Sequence, residues 1–194
     1  MADLHYHMRT RHLFILGLPL LIIVTIILAC FSNGKDSIFF TFAVLTGCLA
    51  AHLIIWILSA IVVVGIMKNR ADDEHAWFRE LSWEKDFYRI IKFRKWKRLL
   101  PTYNPRYYDF KALKYEDLLG IISQTEIVHE TAAVLSLLSM AGTRWLGHGY
   151  IIVTMAIMDL LINLIYVCLQ RYNRIRLRRL IRPGLRHAED DQGH

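Results

Sequence analysis

Two stretches without a Lys, Arg, Asp or Glu constrain this chain before any motif does: residues 13–31, LFILGLPLLIIVTIILACF, and residues 38–67, IFFTFAVLTGCLAAHLIIWILSAIVVVGIM. A helix crossing the hydrocarbon core of a bilayer needs about 20 apolar residues, and both runs are of that order or longer. Two further apolar runs follow. One, 127–147, carries Glu130 near its start and Arg144 near its end; the other, 149–169, carries Asp159. The expected architecture is all-α: a multi-pass membrane protein with four transmembrane helices and a cytoplasmic interfacial helical segment, 68–126. A basic C-terminal helix, 170–183, completes one membrane domain covering 1–194. A mean hydropathy of +0.30 agrees with such a domain.

Orientation follows from where the 24 Lys and Arg fall. Two precede the first span, one lies in the turn 32–37, 13 lie in 68–126, one is Arg144 and seven follow residue 170. That division, 22 against two, assigns both termini and the central segment to the cytoplasm, in a cell membrane crossed several times. The net charge of +7 calls for no nucleic-acid partner. Basic segments beside membrane spans attract anionic lipid headgroups, at about 1 kcal/mol per residue near the surface. Cys30, Cys48 and Cys168 all sit in apolar runs, without the spacing of a disulfide framework or a metal site. Cys30, in IILACFSNGKDS, resembles the acceptor of a lipoprotein signal. The apolar stretch before it exceeds the usual 7–15 residue signal core and further spans follow, so the first helix is expected to be permanent.

The turn FSNGKDS makes the first two spans a helical hairpin. Residues 68–126 mix cations with Trp77, Trp83, Phe87, Tyr88, Phe93, Trp96 and several tyrosines, a composition suited to the headgroup region. Within it FYRIIKFRKWKRLLP reads as helix up to Pro101. Its apolar residues gather on two sides, Phe87 to Ile91 on one and Phe93, Trp96, Leu99 and Leu100 on the other. Such a pattern fits a helix wedged between lipid and the spans, or one broken near residue 92. PTYNPRYYD is a Pro-rich loop, and the basic helix after residue 170 is expected to end near Pro183.

The stretch SQTEIVHE, 123–130, concentrates titratable groups at the mouth of the third run. Glu126 and His129 are three residues apart and share a face of a continuous helix. A carboxylate beside an imidazole suits a general base that takes a proton from a hydroxyl. The same residues, Ser123-x-x-Glu126, also match a capping box, in which Glu126 would only satisfy backbone donors. Elsewhere, Asp159 and Asn163 share a face of the fourth run, and Asp159 is expected to meet another helix through His52 or Arg144 rather than face lipid. His5, His7 and His12 lack the companions of a metal site, and no Gly-rich phosphate loop or nucleophile elbow occurs.

Four stretches in order, KFRKWKRLLP, YYDFKAL, TEIVHE and QRYNRIRLRRLIR, resemble the glycosyl-4,4'-diaponeurosporenoate acyltransferase family, small membrane proteins of carotenoid-pigment maturation. The family shows a Lys-Trp-Lys stretch, a Glu-Thr-x-Arg-Ala-Glu-x-x-His-Trp stretch and a Gln-Arg-Tyr-Asn-Arg-x-Arg-Leu stretch. The last is the most specific, and the likeness covers about residues 83–187. Retained are Lys95, Trp96 and Lys97; Glu126 and His129; and Gln170, Arg171, Tyr172, Asn173, Arg174, Arg176 and Leu177. The chain departs at Ile121, Gln124 and Glu130, where the family has Glu, Arg and Trp.

The resemblance implies transfer of a fatty acyl group, from a donor such as acyl-CoA, to a hydroxyl of a lipid-embedded glycolipid or glycosyl carotenoid. His129 would be the general base and Glu126 would orient it. Trp96, Lys97, Arg171, Asn173, Arg174 and Arg176 would bind substrate, with no metal and no cofactor. These residues are expected to converge at the cytoplasmic interface. The competing reading is a non-enzymatic membrane protein whose basic helices bind anionic lipid or a protein partner.

Overall fold

In a computed structural model, residues 2–68, 75–96, 100, 114–143 and 148–192 are described, with the side chains of 2–15, 96, 115–116 and 180–192 left aside. Six α-helices occur among them: α1 (Ala2–Cys30), α2 (Ile38–Met67), α3 (Glu84–Ile90), α4 (Phe93–Trp96), α5 (Tyr115–Leu138) and α6 (Gly149–Gln192). Short 3-10 turns cover Ala76–Phe78 and Ser139–Gly142, and no strand is found among the described residues. The all-helical expectation holds. Of the four expected spans, two helical stretches among the described residues, Ile38–Met67 and Gly149–Arg179, are long and apolar enough to cross a membrane.

Helix α1 runs from Ala2 to Cys30, with apolar side chains described over Leu16–Cys30. Length decides the third span. The expected third span falls on α5, which starts among polar residues at Tyr115 and stops at Leu138. Residues 127–138 therefore supply only about 18 Å of apolar helix. Arg144 lies outside the described residues.

The chain forms two compact units. The first comprises 1–62 and 128–165. The hairpin turn forms as its Asn-Gly punctuation requires: Gly34 takes φ +128°, a conformation a side chain would oppose, and Ser32 Oγ donates to the Gly34 carbonyl at 3.0 Å. Helices α1 and α2 are joined by a hydrogen bond between Thr25 Oγ1 and Thr46 Oγ1 at 2.9 Å. They approach closely at Gly47, where a Cβ would meet Thr25 Cγ2 at 3.4 Å. Large apolar side chains such as Leu16, Ile26, Leu58 and Ile61 are exposed, while His52, Ser59, Ser136 and Asn163 are buried. Apolar outside with polar inside is what helices in lipid require, since the hydrocarbon offers buried polar groups no partner.

The second unit comprises 63–127 and 166–194. Tyr88, Phe93 and Leu169 form one buried cluster, and Leu118, Leu119, Ile122 and Leu177 another. The two-sided apolar pattern of the basic segment has its explanation here. The helix breaks at Ile91–Lys92, with Lys92 at φ +50°, and the break rotates Phe93 into the core while Ile90 stays exposed. The loop PTYNPRYYD lies outside the described residues. Helix α6 continues past Pro183, the expected stop, to Gln192. A proline deletes one backbone bond, which a long helix can survive as a local distortion.

Candidate functional site

In the second unit α5 begins at Tyr115, eight residues before Ser123, so SQTE lies inside a helix and cannot cap one. Glu126 is fully buried. Its Oε1 accepts from Arg171 Nη1 at 3.0 Å, and its Oε2 accepts from Arg174 Nη1. Arg171 is held from two further directions, donating through Nε to Glu84 Oε1 at 2.5 Å and through Nη2 to the Arg79 carbonyl at 3.2 Å. Arg174, 1% exposed, lies over the Phe78 ring at 4.8 Å, and its Nε and Nη2 have no protein hydrogen-bond partner. Two buried carboxylates thus face two guanidiniums, the arrangement that removes the cost of burying either charge alone. The three-residue step from Arg171 to Arg174 puts both on one face of α6.

The aromatic residue between them packs elsewhere. Tyr172 meets Tyr88 and Phe93, with ring centroids 5.3 and 5.2 Å away. Burial pushes the Tyr88 hydroxyl well above its usual value, and the nearby Cys168 and Glu84 add to the shift, so Tyr88 stays protonated. Gln170 is buried and Asn173 half-buried. Arg176 is exposed and, with Lys85, Arg179 and Glu80, lines a cavity of about 150 Å³. Trp96 ends α4, its side chain outside the described set, and Lys97 lies outside the described residues altogether. Glu84 was missed in the sequence. Its one signal is an acid placed among the aromatics of LSWEKDFY, where a solvated face would have no use for them.

In the first unit His129, 7% exposed, has its Nδ1 3.0 Å from Asn163 Oδ1. Asn163 Nδ2 donates to the Asp159 carbonyl at 3.0 Å and to Asp159 Oδ2 at 3.2 Å. Both of those are acceptors, so the amide nitrogen must face Asp159 and the amide oxygen must face His129. An amide oxygen only accepts, so His129 Nδ1–H is the donor of this hydrogen bond. Asp159 also accepts from Ser136 Oγ and lies 3.4 Å from His52 Nδ1. The expected interhelical role of Asp159 is met through α2 and α5, and His52 is the partner. Trp56, one turn beyond His52, lies 6.5 Å from the His129 ring.

The structure therefore brings Glu126, Arg171 and Arg174 together in one unit and gives His129 an orienting partner in Asn163 in the other. Sequence reasoning placed Asn163 on the Asp159 face yet gave the orienting role to Glu126. Among the described residues no group of three or more His, Cys, Asp or Glu is disposed to hold a metal.

No curated protein and no solved structure matches the chain. A family model does, over residues 74–183, which include α3, α4, α5 and the arginine-bearing part of α6. More than half of the 194 residues are matched, and the chain belongs to the glycosyl-4,4'-diaponeurosporenoate acyltransferase family, acyltransferases of carotenoid biosynthesis.

Proposed function

We propose that this protein moves a fatty acyl group from a thioester such as acyl-CoA to a hydroxyl of a lipid-embedded glycolipid or glycosyl carotenoid, with His129 as general base. The observation that carries the reading is the hydrogen-bonded chain from His129 Nδ1 through Asn163 to Asp159, which orients a buried imidazole. The acceptor hydroxyl gives its proton to Nε2 while its oxygen attacks the acyl carbonyl. The ester C–O bond forms, the C–S bond breaks, and the proton passes from His129 to the departing sulfur. Asn163 holds the ring, and Asp159 offsets the imidazolium charge through the amide.

In this reading Glu126 serves the arginines rather than the imidazole. Arg174 keeps Nε and Nη2 for an oxygen of the substrate, while Trp96, Lys97, Asn173 and Arg176 complete substrate binding. Both termini and residues 68–126 lie on the cytoplasmic side of a multiply crossed cell membrane, where acyl thioesters are made.

Lipid extracts compared by mass spectrometry with and without the gene test the activity: an acylated glycolipid or pigment should appear only with it. His129→Ala should cut that product by about 100-fold at unchanged protein abundance, the scale of a positioned general base. An unaltered lipid profile would favour a non-enzymatic protein that binds anionic lipid through its basic helices.

A further inference from the structure

A cavity of about 360 Å³ lies within the first unit, sharing Thr25, Gly47 and His52 with the contacts already described. Its wall on α2 runs from Phe40 to His52, about 18 Å of helix at 1.5 Å per residue. Spread over that length, the volume corresponds to a cross-section of about 20 Å², room for a single extended alkyl chain. Small side chains create the space. Ala43, Gly47 and Ala51 line it from α2, Ala29 from α1, and Gly142 from the turn after α5. The volume is at the lower end of the roughly 300–1,000 Å³ usual for ligand sites.

The chemistry along the cavity is graded. Phe40 and Val44 lie at the end near the hairpin, and His52 lies at the other. His52 is 7% exposed, its Nδ1 has no hydrogen-bond partner, and that atom stands 3.4 Å from Asp159 Oδ2. Asp159 is the same carboxylate that Asn163 links to His129. The polar end of an apolar slot is thus joined to the proposed base through one carboxylate and one amide.

We infer that this cavity holds the acyl chain of the donor, methyl end toward Phe40 and carbonyl end toward His52, and so sets the chain length that is transferred. The inference rests on the acyltransferase reading. It adds His52 as a positioning residue for the acyl head and Ala43, Gly47 and Ala51 as the determinants of chain selectivity.

The probe is palmitic acid bearing a photoreactive diazirine near its methyl end, applied to the full-length protein in detergent. Cross-links should map to α2 between Phe40 and Ala51 and be suppressed by excess unlabelled palmitate. Ala51→Leu, which narrows the slot, should shift the ratio of long to short acyl groups in the product by about tenfold toward the short, the scale of a methylene or two in an apolar pocket. Cys48→Ala, which widens it, should shift the ratio the other way, so that a folding defect in the first variant does not decide the matter. Labelling that palmitate does not compete, spread over lipid-exposed residues such as Ile22 and Ile61, would overturn the inference. So would a chain preference unmoved in both variants, with the acyltransferase reading left standing. Competed labelling of the slot without any transfer product would instead keep the chain site and remove the acyltransferase reading.

Discussion

The two units of this protein partner their interior carboxylates by opposite means, fully buried in one and half-buried in the other. In the second, Glu84 and Glu126 face Arg171 and Arg174 in a network of full charges. In the first, Asp159 is surrounded by groups that need carry no charge: an amide, a hydroxyl and an imidazole. Guanidinium groups do not release protons in proteins, so the pairs of the second unit persist wherever Glu84 and Glu126 are ionised. Imidazole and carboxylate change protonation far more readily, so the groups around Asp159 in the first unit suit the proposed proton transfer. In the proposed function the hydrogen-bonded chain of the first unit moves the proton, and the charge pairs of the second hold Arg174 in place.

The comparison is broken most forcefully at Glu126. Replacing it with Ala leaves Arg174 buried without its carboxylate, and losing one partner of a buried pair costs about 3–5 kcal/mol. Glu126→Ala should accordingly remove most of the folded protein, measured as abundance in membranes and as thermal unfolding in detergent. If Glu126→Ala instead accumulates normally, with only activity lost, the network is not scaffold.

Asn163 sharpens the contrast from the other side. Asn163→Ala frees the imbalance between the two His129 nitrogens, so transfer should fall by about tenfold, a fraction of the general-base effect. The loss should appear in kcat with KM little changed, and a loss of abundance in its place would make the chain structural.

A smaller effect is expected at Tyr88. Its hydroxyl is protonated in the folded protein well beyond the pH at which an unfolded tyrosine, near 10.0, ionises. Folding therefore binds a proton that the unfolded chain gives up. This contribution to stability is complete below pH 10 and declines as pH rises beyond it. Tyr88→Phe should flatten that part of the decline in unfolding measured between pH 9 and 11. The smallest effect belongs to Arg179→Ala. Its pair with Glu80 at 2.7 Å is exposed, and such pairs contribute about 1 kcal/mol or less. A large loss there would mean that the ionic network extends to the surface.

Much of the fold was legible because it depends on local composition. The charge-free run 38–67 became α2 with the expected bounds, FSNGKDS became the turn, and the two-sided pattern around residue 92 marked a break. The expected third span failed at α5, whose apolar stretch from residue 127 ends at Leu138. The helix around SQTE was misjudged because a capping box and a mid-helix ion pair use the same residue types, and only the upstream turns of α5 distinguish them.

By itself, then, the sequence determined which segments are helical and apolar, because period and composition act over a few residues at a time. It also marked which titratable side chains stand out from an apolar or basic background, including Glu126, His129 and Arg171 to Arg176. Only the tertiary structure decided the partners. Glu84, 42 residues before Glu126, and Asn163, 34 residues after His129, reach their sites through helix packing, and no local spacing encodes a pairing between residues so far apart along the chain.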